Sequence, residues 1–143
     1  MILGFKQKFK DGEPTNFREK ILAGIDKEYS NCYTPKIHSI RKGYRWDAGR
    51  IVQMAYGVRT TNYQQFNVGI KPLQKCISTQ FIGMTFNQGH LVITVDTKFL
   101  FPSEIEKLIQ NDGLTTDQFM KFFFINNGNE WHGQIVHWTN FKY

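Results

Sequence analysis

The stretch Cys76-Ile77-Ser78-Thr79-Gln80-Phe81-Ile82-Gly83-Met84-Thr85-Phe86-Asn87-Gln88-Gly89-His90-Leu91-Val92-Ile93-Thr94-Val95 decides the class of fold. Two runs rich in Ile, Val, Thr and Phe flank Asn87-Gln88-Gly89, whose residue types suit a reversing turn, so the pair reads as a β-hairpin. Downstream, Gly133 to Phe141 sets Ile135, His137, Thr139 and Phe141 in alternation with Val136, Trp138 and Asn140. Apolar side chains on both faces predict a last, well-buried strand. Two helices are expected between hairpin and last strand. Ser103-x-x-Glu106 is a capping box beside Ile105, Leu108 and Ile109, and Thr115-x-x-Gln118 is another ahead of Phe119, Phe122 and Phe123. Asp112-Gly113 marks the turn separating them, and the Phe119, Phe122, Phe123 stripe reads as core.

Upstream of the hairpin, Leu3, Phe5 and Phe9 alternate with Lys6, Lys8 and Lys10, a half-buried strand signal ending at the Asp11-Gly12 turn. Pro14 sits early in a helix carrying Phe17, Ile21 and Leu22 at helical spacing, with Gly24 as the expected C-cap. Residues 25–35 read as a loop, Ile37 to Ile40 as extended, Ile51 to Tyr56 as a strand and Thr60 to Gly69 as a polar loop. About six strands with three helices, not in βαβ alternation, make an α+β chain. A small mixed β-barrel with helices at one side fits that order best.

The 143 residues are expected to form one domain, 1–143. With 41% hydrophobic and 15% aromatic residues the chain can bury a core, which excludes a largely disordered protein. No apolar run approaches the ~20 residues of a membrane span. The opening Met1-Ile2-Leu3-Gly4-Phe5-Lys6 turns charged too early for a secretory signal. Only Cys32 and Cys76 are present, too few for a disulfide framework or a cysteine zinc site. His38, His90, His132 and His137 lack metal-ligand spacing, so no metal and no cofactor are expected, and the glycines match no nucleotide fingerprint. Together these features point to a soluble, cytoplasmic protein without a membrane partner.

Charge is uneven. The formal net charge is +6, from 18 Lys and Arg against 12 Asp and Glu. Residues 41–75 hold seven bases, Arg41, Lys42, Arg45, Arg50, Arg59, Lys71 and Lys75, against the single acid Asp47, and the rest of the chain balances. Such asymmetry suits a polyanionic partner, because each base near a phosphate releases counterions. Tyr44 and Trp46 interleave with these charges and could stack on bases. The plainer alternative is a solvated basic face with Tyr44 and Trp46 packed inward. The polar run Gly57-Val58-Arg59-Thr60-Thr61-Asn62-Tyr63-Gln64-Gln65-Phe66 is a second candidate binding element, or simply a surface loop.

The segment carrying chemistry is Lys36-Ile37-His38-Ser39-Ile40-Arg41, after the helix ending Ile21-Leu22-Ala23-Gly24 and before Asp47-Ala48-Gly49-Arg50. This arrangement resembles the ASCH domain family of the PUA-like superfamily, where a helix ending in Leu-x-Gly leads into Lys-x-x-Thr-x-Arg. The resemblance covers most of the chain in order of elements. It implies a barrel-like fold with a basic cleft for RNA or a nucleoside-like small molecule. Some members are small amidohydrolases that cleave N4-acetylcytidine with a Lys, a Thr nucleophile and a Glu. By that resemblance Lys36, Ser39 and Asp112 would be catalytic, Ser39 keeping the hydroxyl and Asp112 being one methylene shorter than Glu. Ile25 to Pro35 is an insertion relative to those members.

The residues also allow a reading of their own. A Lys whose pKa is lowered by burial or by a neighbouring cation such as Arg41 can act as base toward a Ser hydroxyl. On a regular strand Ser39 and Arg41 share a face while Lys36 points away, so a working pair needs a turn or bulge between them. Lys36 and Arg41 could equally be surface or phosphate-contacting bases. Three functions follow: an RNA- or nucleoside-binding domain using Lys36, Arg41, Tyr44, Arg45, Trp46 and Arg59; an amidohydrolase using Lys36, Ser39 and Asp112; or a protein-interaction module of a phage or mobile element.

Overall fold

The computed structural model describes residues 1–26, 28–29, 32–125 and 128–143. In chain order its elements are β1 (Ile2–Phe5), α1 (Phe17–Ile25), β2 (His38–Lys42), β3 (Gln53–Tyr56), β4 (Gln64–Gln65) and β5 (Ser78–Asn87). There follow β6 (His90–Val95), β7 (Lys98–Phe99), α2 (Pro102–Asn111), α3 (Thr116–Phe123) and β8 (Glu130–His137). The chain is therefore mixed α+β with three helices, as its patterning requires.

Among the described residues the strands pair into two sheets and do not close into one ring. The larger runs β2-β8-β5-β6-β7 and the smaller β1-β3-β4. Eight strands replace the expected six because β4 and β7 are two-residue pairings inside segments with no strand period. The hairpin β5–β6 is in register from Ile82↔Val95 to Asn87↔His90, so its turn falls at Gln88-Gly89. In the smaller sheet β1 lies parallel to β3, Leu3 beside Met54 and Phe5 beside Tyr56.

β8 lies between β2 and β5, which explains its unbroken burial from Gly133 onward. A strand paired on both edges and covered on both faces has no solvent side to alternate with. Close packing also fixes Gly133: a Cβ there would run into the Arg41 carbonyl oxygen and the Trp131 ring. The buried cluster is continuous, joining Leu3 and Phe5 of β1, Phe17 and Ile21 of α1, and Ile40 of β2 to Ile82 and Met84 of β5. Leu108, Phe119 and Phe123 bring α2 and α3 onto it.

Helix ends differ from expectation in two places. Gly24 lies inside α1, and the cap is Asp26, whose N–H bonds to the Leu22 carbonyl at 2.9 Å. In α2 the cap is Phe101, followed by Pro102, and the Glu104 carboxylate accepts the Phe101 N–H at 2.8 Å. Pro is favoured at a first helical position, so it moves the start two residues ahead of Ser103. The box of α3 stands as read: Thr115 Oγ1 accepts the Gln118 N–H at 3.3 Å and Gln118 Oε1 accepts the Thr115 N–H at 3.0 Å.

Gly133→Ala should destabilise the fold by about 1–3 kcal/mol, the usual cost of overpacking a core. Urea unfolding checks this, and an unchanged midpoint would show that β2 and β8 are not so closely apposed.

Candidate functional site: a buried lysine–aspartate pair lining a cavity

The site begins where the chain leaves the loop 25–35. The Lys36 N–H bonds to the Lys20 carbonyl of α1 at 3.0 Å, and the Ile37 N–H bonds to the Asn111 carbonyl of α2 at 3.0 Å. These bonds hold Lys36 outside strand register, since β2 starts only at His38. The non-regular entry that a shared Lys36–Ser39 site demands is thus present. Lys36 is only 1% exposed, rare for a residue that normally keeps its ammonium in water.

Its partner is Asp112, also buried, at the end of α2. Lys36 Nζ donates to Asp112 Oδ1 at 2.6 Å and to the Asp112 carbonyl at 2.5 Å. The Ile40 N–H donates to the same Oδ1 at 3.3 Å. The Phe17 ring lies 4.9 Å from Lys36 Nζ and the Phe5 ring 6.0 Å, so the ammonium also meets aromatic faces. Gly113 completes the turn at φ +78°, where a side chain is strained and a Cβ would meet Lys36 Cδ at 3.2 Å. Its carbonyl accepts Lys20 Nζ at 2.7 Å.

The cavity beside this pair holds about 460 Å³, within the range of small-molecule sites. Lys36, Ser39, Arg41 and Asp112 line it with Phe5, Phe17, Leu114 and Phe122. Ser39 Oγ accepts from Arg41 Nε at 3.0 Å rather than from Lys36, and the Arg41 guanidinium rests 4.9 Å from the Phe5 ring. Gly57 and Val58 contribute from the polar run after β3.

Burial pushes the Lys36 ammonium down to about 8, against the opposing pull of Asp112. Burial raises the Asp112 carboxyl too, yet Lys36 and His38 together outweigh that penalty and hold it below its ordinary value. Arg41 is lowered to about 10, first by burial and then by the nearby Arg45. Behind Asp112 stands His38, with Nδ1 3.6 Å from Oδ1, too long for a hydrogen bond. Its Nε2 meets Tyr143 Oη at 2.7 Å, and Asn111 Nδ2 donates to that same oxygen at 2.9 Å. A neutral His38 that accepts from Tyr143 at Nε2 carries its proton on Nδ1, facing Asp112. Burial keeps His38 neutral in that arrangement.

The structure therefore brings Lys36, Ser39, Arg41 and Asp112 together. The other expected ligand residues stand apart. Trp46 is a correction: it is 3% exposed and belongs to the core, with its backbone N–H and carbonyl both bonded at 3.1 Å by the Gln134 side chain. Its ring offers no stacking face. Tyr44 is exposed and packs edge-on against Phe81, outside the cavity. Arg45 is exposed but close enough to depress Arg41, and Arg59 sits at φ 65° on an exposed turn outside the lining. In the loop 25–35, residues 27, 30 and 31 lie outside the described residues, and none of its described residues lines the cavity.

Phe5, Phe17, Gly113 and Phe122 were not legible as site residues. Phe122 is 38% exposed at the rim, one position off the inward-facing Phe119 and Phe123. Among the described residues there is no group of His, Cys, Asp and Glu able to hold a metal, and no helix long and apolar enough to cross a membrane. No protein-family model matches the chain, and neither the curated proteins nor the solved structures compared with it include a match.

Lys36 should titrate near 8 by NMR of its side chain, well under the ordinary lysine value of about 10.4. Asp112→Asn removes the charge that opposes desolvation, so the lysine should fall further. Titration above 10 in the wild type would show that Asp112, not burial, governs this lysine.

Proposed function

We propose that this chain is an ASCH-type, PUA-like domain whose cavity binds a nucleoside or nucleotide-like ligand. One observation carries the reading: a buried, hydrogen-bonded Lys36–Asp112 pair lines a cavity that also holds a guanidinium and aromatic rings. Phe122, 38% exposed at the rim, suits a flat heterocycle over a floor closed by Phe5 and Phe17, and Arg41 suits a carbonyl or phosphate oxygen. The order of elements and the Lys36-x-x-Ser39-x-Arg41 spacing support the family reading. The fold agrees with it at the level of mixed sheets and peripheral helices.

Calorimetric titration of cytidine and cytidine 5′-monophosphate tests the binding. Arg41→Gln removes a charge-assisted hydrogen bond and should weaken the monophosphate by about 10- to 100-fold. No heat with either ligand, or an unaffected variant, would contradict the assignment.

A second reading, deacylation of an acylated nucleoside, is favoured by a specific observation. Lys36 is pushed down to about 8 in the cavity that contains the Ser39 hydroxyl, whose oxygen is already polarised by Arg41. In that reaction Ser39 Oγ bonds to the acyl carbon while Lys36 takes the hydroxyl proton. The carbon–nitrogen bond breaks with the proton passing to the leaving amine, and water then releases the acyl group from Ser39. A neutral Lys36 is required, so the rate should rise with pH through about 8. Ser39→Ala should abolish hydrolysis of N4-acetylcytidine while circular dichroism stays native. Full turnover by Ser39→Ala would remove Ser39 as nucleophile.

A further inference from the structure

Next to the cavity lies a second groove of about 290 Å³ that neither reading uses. The two depressions share Lys6 and Phe122, so they are contiguous. Local sequence explains the groove. After β1 the chain turns back on itself, with the Phe9 N–H on the Glu13 carbonyl at 2.8 Å and the Gly12 N–H on the Phe9 carbonyl at 3.1 Å. That turn sets Lys6, Phe9 and Lys10 along one wall, and α3 supplies Phe122 and Lys121 along the other. Lys6 Nζ lies 5.6 Å from the Phe122 ring.

The charge is one-sided. Lys6, Lys10 and Lys121 meet one acid, Asp11, whose Oδ1 accepts the Glu13 N–H of its own turn at 3.1 Å. Among the described residues none of these three lysines is in an ion pair. Uncompensated cations beside the exposed Phe122 ring match a chain that alternates phosphates with flat bases. A free nucleoside would leave the groove unused.

Resting on the nucleoside reading of the cavity, we propose that this groove carries the phosphate-bearing continuation of the same ligand. The natural ligand is then a short single-stranded nucleic acid with one nucleotide seated in the cavity. Lys6 and Phe122 stand where the strand passes from one depression to the other. Lys10 and Lys121 take the next phosphates.

Fluorescence anisotropy with labelled RNA and DNA octamers of mixed sequence, beside calorimetry with cytidine 5′-monophosphate, tests this on the full chain. Lys10→Gln/Lys121→Gln should weaken octamer binding at least about tenfold at low salt and lower the salt slope by roughly 1.4, two single-strand contacts' worth. Monophosphate affinity should not change. An octamer that binds wild type and variant alike, or not at all while the monophosphate binds, overturns the groove and leaves the cavity reading intact. Lysine-dependent octamer binding with no monophosphate binding overturns the cavity reading and keeps the groove. Lysine-dependent binding to anionic vesicles without octamer binding overturns the proposal in favour of a lipid surface.

Discussion

An ammonium and a carboxylate taken together out of water set the terms for everything around them. Each ion loses several kcal/mol of hydration on burial, which only short, well-formed contacts can offset. Asp112 meets that demand by presenting both a carboxylate oxygen and its own carbonyl to Lys36 Nζ. Doing so requires α2 to end at residue 111 and Gly113 to turn away at positive φ. It also requires α1 to hold the Lys36 backbone and β2 to aim the Ile40 N–H at the same oxygen. Three segments, α1, residues 36–40 and residues 111–113, thus converge on one ion pair. Removing one partner of such a pair typically costs about 3–5 kcal/mol, whereas replacing both by apolar groups is often neutral. A buried ion pair is thus weak evidence of a purely stabilising role, which is the physical reason to look for its purpose in the cavity it faces.

Two opposing influences give the lysine its character. Burial favours the neutral amine, and Asp112 favours the ammonium. Burial outweighs the carboxylate, which leaves Lys36 able to change protonation near 8 while Arg41 stays charged under the same conditions. One cation is thus suited to hold an anionic or carbonyl group and the other to move a proton. Ser39 lies in the same lining, bonded to the permanent cation and not to the titrating one. His38 stands behind Asp112, with its other nitrogen on Tyr143, so a buried chain of polar groups backs the pair.

Much of the framework was legible because it depends on local rules. The β5–β6 hairpin follows from apolar runs around a Gly-containing turn, and the α3 cap from Thr115 and Gln118 reaching each other. The Lys36-x-x-Ser39-x-Arg41 spacing together with Asp112 pointed to groups that do meet in space. What could not be read depends on tertiary contacts. Nothing near Trp46 in sequence announces that Gln134, 88 residues later, pins its backbone and turns the indole inward. Helical spacing put Phe122 in the core stripe, yet α3 lies so that this ring faces the rim. Ring closure was expected from element order, but order does not specify which strands pair, and β1 finds its partner in β3. Lys6 and Lys10 read only as the polar side of a strand and Lys121 as the solvent side of a helix more than a hundred residues on, although in space the three share one groove.

The account stands or falls on where a nucleotide sits. Amide chemical-shift mapping with cytidine 5′-monophosphate locates it without prior choice of residue. The largest shifts are expected at Ile40, Arg41, Gly57 and Asp112, all of which line the cavity. Shifts confined to the exposed surface around Tyr44, Phe81 and His132, with Ile40 and Asp112 unmoved, would contradict a cavity site.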